Sequence, residues 1–110
     1  NAFLDTPWPK TEWAANEMKK TIAKKNVDEN DLFSILTDTR RYPLDKLPST
    51  GLPDELEQTV SSVFILADNY GTRCSTLVSV DKQSEIRMIE RTYTPGTKNI
   101  SKEASFSFHL

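Results

Sequence analysis

The chain has 110 residues, with 14 Lys and Arg against 16 Asp and Glu, a formal net charge of −2 at pH 7. At 36% hydrophobic and 27% charged residues it reads as one folded, soluble domain with a modest core. The balance excludes a basic footprint for nucleic acid or an anionic membrane, and the longest apolar run, Val63 to Ala67, is too short to span a bilayer. A single Cys and a single His exclude an internal disulfide and a structural zinc site. A reducing compartment, the cytoplasm, is therefore the expectation, with no cofactor and no metal.

Residues 1–38 form a helical region. Pro7 and Pro9 bracket Trp8, and Thr11 is a candidate N-cap for a helix over 11–24. Ala15, Met18 and Ile22 fall on one stripe of it, with Trp13 and Ala14 at the edge and the lysines facing away. Asp28, with Asp31 three residues on, resembles a capping box for a second helix over 29–37, whose apolar face is Leu32, Phe33, Ile35 and Leu36. Residues 39–58 are a connector. Its prolines and glycine prevent a long helix or a central strand, Leu44, Leu47 and Leu52 are expected to pin it, and "DELEQ" adds a helical turn.

Residues 59–110 read as antiparallel strands. "VSSVFIL" predicts a strand over 60–66 covered on both faces. Alternation predicts further strands over 73–80, 86–93 and 104–109, separated by the turns "DKQSE" and "TPGTKN". In the first of these, Cys74, Thr76, Val78 and Val80 oppose Arg73, Ser75, Leu77 and Ser79, which puts Cys74 in an apolar, hidden setting and Arg73 on the more polar side. Helices followed by strands predict an α+β fold, an antiparallel sheet packed with helices.

No paired carboxylates, glycine-rich phosphate loop, metal-ligand cluster or serine elbow names an activity. Three stretches do resemble a known family. "NAFLDTPWPK", "LPSTGLPDELEQTVSSVFI" and "YGTRCSTLVSVD…IRMIERTY" are similar to the C-terminal part of the NRDE-motif family, the transport-and-Golgi-organisation protein 2-like proteins. The resemblance is strongest over 1–10 and 48–93. Neither the Asn-Arg-Asp-Glu tetrad nor the Met-Cys start of that family occurs in the sequence.

The resemblance implies the C-terminal half of a longer protein with an N-terminal-nucleophile-hydrolase-like αββα sandwich. It implies a linear-amide hydrolase whose nucleophilic cysteine lies outside this chain, leaving the chain alone inactive. The alternative is a non-enzymatic protein of haem or lipid handling or of secretory organisation. Cys74 does not fill the nucleophile's role, because such a nucleophile uses its own α-amino group as base. A more distant similarity to choloylglycine hydrolases and penicillin V acylases carries a pocket Asn onto Asn1 and a pocket Arg onto Arg73. The implied partners are the missing N-terminal half, a small amide or apolar ligand, and a second copy in a homo-oligomer. An open half-sandwich is expected to expose apolar surface and self-associate.

Overall fold

Proline opens the first helix. In a computed structural model that describes residues 3–109, helix α1 spans Pro9–Ile22, and its first turn uses a residue with no N–H to lose and a φ already set for the helix. The N-cap is Trp8, without a side-chain cap, so the expected start at Thr11 is two residues late. The packed stripe also differs from the expected one. Thr21 is buried while Ala15 and Ile22 are exposed, so the helix is rolled to present Lys10, Ala14, Met18 and Thr21 inward.

Helix α2, Glu29–Leu36, starts where the acidic cap predicts. Asp28 Oδ1 accepts from the Asn30 N–H at 2.8 Å, and Phe33 and Ile35 are buried. Asp31 does not complete a capping box; it pairs with Lys24 at 2.5 Å. A 3-10 turn, Leu44–Lys46, and helix α3, Asp54–Thr59, occupy the connector. Leu44 and Leu52 are exposed, and polar groups hold this loop instead. Glu57 Oε1 accepts from the Thr50 N–H at 2.7 Å, the Thr50 hydroxyl at 2.5 Å and the Leu52 N–H at 3.3 Å, while Ser61 Oγ accepts from the Tyr42 N–H at 2.9 Å.

The segment expected as a strand over 60–66 is buried but is not a strand. Ser61, Ser62 and Phe64 are inaccessible, yet the chain bends throughout and makes only an isolated bridge, Leu66 to Gly71. Side chains meet its backbone where strand neighbours would. Lys10 Nζ donates to the carbonyls of Val60 at 2.7 Å and Ser62 at 3.4 Å, the Ser62 hydroxyl to Phe64 O at 2.8 Å, and Ile65 N–H donates to Thr72 Oγ1 at 2.9 Å.

Three strands follow as a meander: β1 Cys74–Val80, β2 Glu85–Tyr93 and β3 Ile100–His109, in the order β1-β2-β3 and antiparallel throughout. The last is four residues longer at its start than alternation predicts, because β3 continues past a register shift at Thr92/Tyr93. The α+β arrangement with an antiparallel sheet is the observed fold.

The sheet's two faces are inverted relative to expectation. Ser75, Ile89 and Tyr93 lie on the buried face, beneath the helices, whereas Val78 and Val80 are exposed. Hydropathy favours burying the valines, but α2 covers the other side. Arg91 on β2 lays its guanidinium carbon 3.8 Å from the centre of the Phe33 ring and donates to Asn30 Oδ1 at 3.1 Å and Glu103 Oε2 at 2.7 Å. Arg87 pairs with Glu29 at 2.6 Å. These bonds fasten the start of α2 to β2 and choose the inner face.

Candidate functional site

Arg73 stands one residue before β1, opposite Tyr93. The Tyr93 N–H donates to the Arg73 carbonyl at 2.9 Å, which continues the β1–β2 ladder past Cys74↔Thr92. Directly opposed residues send their side chains to one face. Tyr93 is 3% exposed, with its ring edge-on to Phe64 at 4.8 Å between centres, and so forms a rigid floor beside Arg73. Arg73 therefore belongs to the helix side of the sheet and not to a separate polar face.

The two residues line a cleft of about 270 Å3. Its walls are the 67–72 loop on one side and the turn with Pro95 and Gly96 on the other. Gly71 makes the loop possible: a Cβ there would meet the Ile65 carbonyl oxygen at 2.9 Å. Gly96 has φ +71, which only a residue without a side chain adopts readily. Arg73 is exposed, and its guanidinium makes no hydrogen bond or ion pair with any described residue. Asp68 lines the same cleft without pairing to it. The cleft thus offers five unused N–H donors beside one carboxylate, over an aromatic floor. It suits a ligand oxygen carrying negative charge or a carbonyl dipole.

Asn1, the other expected pocket residue, lies outside the described residues. Cys74 is half-buried on the open face of the sheet, not hidden in an apolar setting. It has no histidine near it. His109 bonds Glu85 at 2.9 Å, seven registers along the sheet from Cys74, or about 23 Å at the usual rise of a strand. Tyr93 was not legible as a site residue from alternation alone, although its register opposite Arg73 marks it once the hairpin is drawn. Two other arginines, Arg40 and Arg41, are occupied: Arg40 lies over the Trp13 ring at 5.0 Å and Arg41 donates to the Leu66 carbonyl at 3.1 Å. Among the described residues no cluster of His, Cys, Asp or Glu could hold a metal ion, and no helix is long and apolar enough to cross a membrane.

The family model for Transport and Golgi organisation 2 matches residues 1–95. The chain belongs to that family. The match takes in all three α-helices, Arg73 with its cleft as far as Pro95, and the β1–β2 hairpin, and ends before β3. No curated protein matches the chain in a search of such proteins. Residues of the Transport and Golgi organisation 2 stretch that hold the fold include Lys10 of "TPWPK", whose ammonium serves the 60–62 carbonyls, and Gly71 of "YGTR", whose bare Cα lets the loop pass Ile65.

Proposed function

We propose that this chain contributes the Arg73 cleft to a longer protein that hydrolyses a linear amide, with the nucleophilic cysteine supplied from outside residues 1–110. One observation carries the reading: a guanidinium without a partner among the described residues opens on a cleft with a tyrosine floor. Arg73 would hold the substrate carbonyl or the departing carboxylate, and the planar fork would fix its two acceptor positions. The chain alone contributes binding and no bond cleavage. Cys74 lacks both the α-amino group and the nearby base that an attacking thiolate needs.

A second reading rests on the apolar part of the same cleft, Ala67, Tyr70, Tyr93 and Pro95, and on the family's description as transport and Golgi organisation. Here the cleft holds the anionic head of a lipid or haem and releases it unchanged. Both readings need Arg73 to grip an oxygen, so binding is tested first. Laurate and lauramide are titrated into the protein and into its Arg73→Lys variant. Both readings expect the lysine to weaken binding by about tenfold or more, and equal affinity for the two proteins sinks the cleft. The readings then separate on a longer form with cysteine at its mature N-terminus. Release of ammonia and laurate from lauramide supports the hydrolase; tight binding of laurate with no turnover supports the carrier.

A further inference from the structure

The Arg73 cleft holds one charge of each sign, and no described residue uses either. Arg73 and Asp68 are the charged members of its lining. Neither side chain forms an ion pair with the other or with a third group among the described residues.

The two stand on separately anchored pieces of chain. Arg73 continues the β1–β2 ladder, its carbonyl accepting from the Tyr93 N–H at 2.9 Å. Asp68 lies in the 67–70 loop, which is tied at its root. The Thr72 N–H donates to the Ile65 carbonyl at 2.9 Å and the Ile65 N–H to Thr72 Oγ1 at 2.9 Å. Leu66 bridges to Gly71, and Arg41 donates to the Leu66 carbonyl at 3.1 Å. The backbone that carries the carboxylate is thus held at the cleft wall, across from the strand mouth.

A plain anion meets a conflict here. Arg73 attracts it, Asp68 repels it, and the two formal charges of the lining cancel. A ligand with both signs gains from each. The ring of Tyr70, 65% exposed at the same wall, offers a π face that favours a cation over an anion. The volume of about 270 Å3 falls under the usual range for a drug-sized ligand, about 300–1,000 Å3, so the group it takes is small.

We infer that the ligand of this cleft carries the head group of a free α-amino acid, its carboxylate on Arg73 and its ammonium on Asp68. Asp68 is then the residue that sets specificity. The inference rests on the reading of Arg73 as the oxygen grip, and it narrows that reading. An acylated α-nitrogen has no charge to offer Asp68. In a hydrolase, the amide to be cleaved therefore lies on the side chain of the amino acid.

Three probes with the same six-carbon chain test this: norleucine, hexanoate and N-acetylnorleucine, each titrated into the protein and followed by NMR. Norleucine is expected to bind about three- to fivefold tighter than either of the others at low salt, the worth of one exposed ion pair. Asp68→Asn, with an unchanged circular dichroism spectrum, is expected to abolish that advantage without weakening hexanoate. In the parent the advantage should also fade at about 1 M salt, which decides the matter should the variant not fold. Hexanoate or N-acetylnorleucine binding the parent as tightly as norleucine overturns the inference, and so does an advantage that survives Asp68→Asn or high salt. If hexanoate is weakened by Arg73→Lys while norleucine gains nothing, the oxygen grip stands and only this inference falls. If no probe binds, or Arg73→Lys changes nothing, both fall together.

Discussion

Lys10 Nζ lies 2.7 Å from the carbonyl oxygen of Val60, fifty residues away in sequence, and closes the first turn of α1 onto the buried 60–64 segment. An ammonium half removed from water without a carboxylate partner is costly, and burial lowers its pKa. It is retained because it donates to carbonyls that no strand neighbour serves. Lys10→Met keeps the stem and removes the donor. It is expected to destabilise the chain by about 1–3 kcal/mol in urea unfolding, the range for a hydrogen bond to a charged group left unmade. A midpoint equal to that of the parent would refute this role.

Gly71 is the tightest point of the candidate site. Alanine there brings a methyl group to 2.9 Å from the Ile65 carbonyl oxygen, and backbone cannot yield as a flexible side chain would. Gly71→Ala is expected to cost about 1–3 kcal/mol and to weaken ligand binding by moving the loop that walls Arg73. Stability within about 0.5 kcal/mol of the parent would show that the loop shifts freely.

Glu57 makes stability depend on acid. The hydrogen bonds from Thr50, side chain first and then backbone, with a further one from Leu52, hold its carboxyl below the ordinary value of 4.5. A carboxyl with a folded pKa below its unfolded one adds stability that is complete above the unfolded value and is lost as pH falls through the folded one. Thermal midpoints should therefore decline below about pH 4.5, and Glu57→Gln should flatten that decline while lowering the midpoint at neutral pH. An identical acid limb in the variant would exclude Glu57 as its source.

Arg91 joins the two layers by a guanidinium placed over the Phe33 ring, a fork to Glu103 and Asn30, and a side chain only 19% exposed. Lysine preserves the charge and loses both the stacking plane and the fork. Arg91→Lys is expected to cost about 1–2 kcal/mol, read from the denaturant midpoint. A loss as small as that of an exposed ion pair, under about 0.5 kcal/mol, would show that the helix layer is held by Phe33 and Ile35 alone.

Much of this fold was legible in the residues. Asp28 marked the start of α2, Pro95 and Gly96 marked the turn before β3, and alternation marked β1 and β2 almost to the residue. What stayed hidden depended on distant partners. The backbone of 60–66 bonds Lys10, Arg41 and the Ser62 and Thr72 hydroxyls, and scattered backbone groups such as the Asp38 carbonyl, so an apolar, β-rich stretch bends instead of pairing with one strand. In β1 valine alternates with serine, so hydropathy points to the valine side as the inner one, whereas the side that α2 covers is the serine side, selected by Arg87 and Arg91. The same inversion puts Arg73 on the helix side instead of a polar face, and leaves Cys74 half-buried on the open face. Arginine at a strand mouth was readable as a candidate; its tyrosine floor required the register.

The meander has a consequence for how the chain finds its shape. β1 meets β2 across residues 81–84 and β2 meets β3 across 94–99, so the sheet closes through short loops. The helix layer depends on contacts such as Arg91 to Asn30, separated by 61 residues, and Lys10 to Val60, separated by 50. Closing a long loop costs more chain entropy than closing a short one, and contacts near in sequence form sooner. Pulsed hydrogen exchange during refolding is expected to protect β2 amides before those of α1, and the reverse order would contradict it. Until the helices dock, the young hairpins present both of their faces bare to whatever else is in solution.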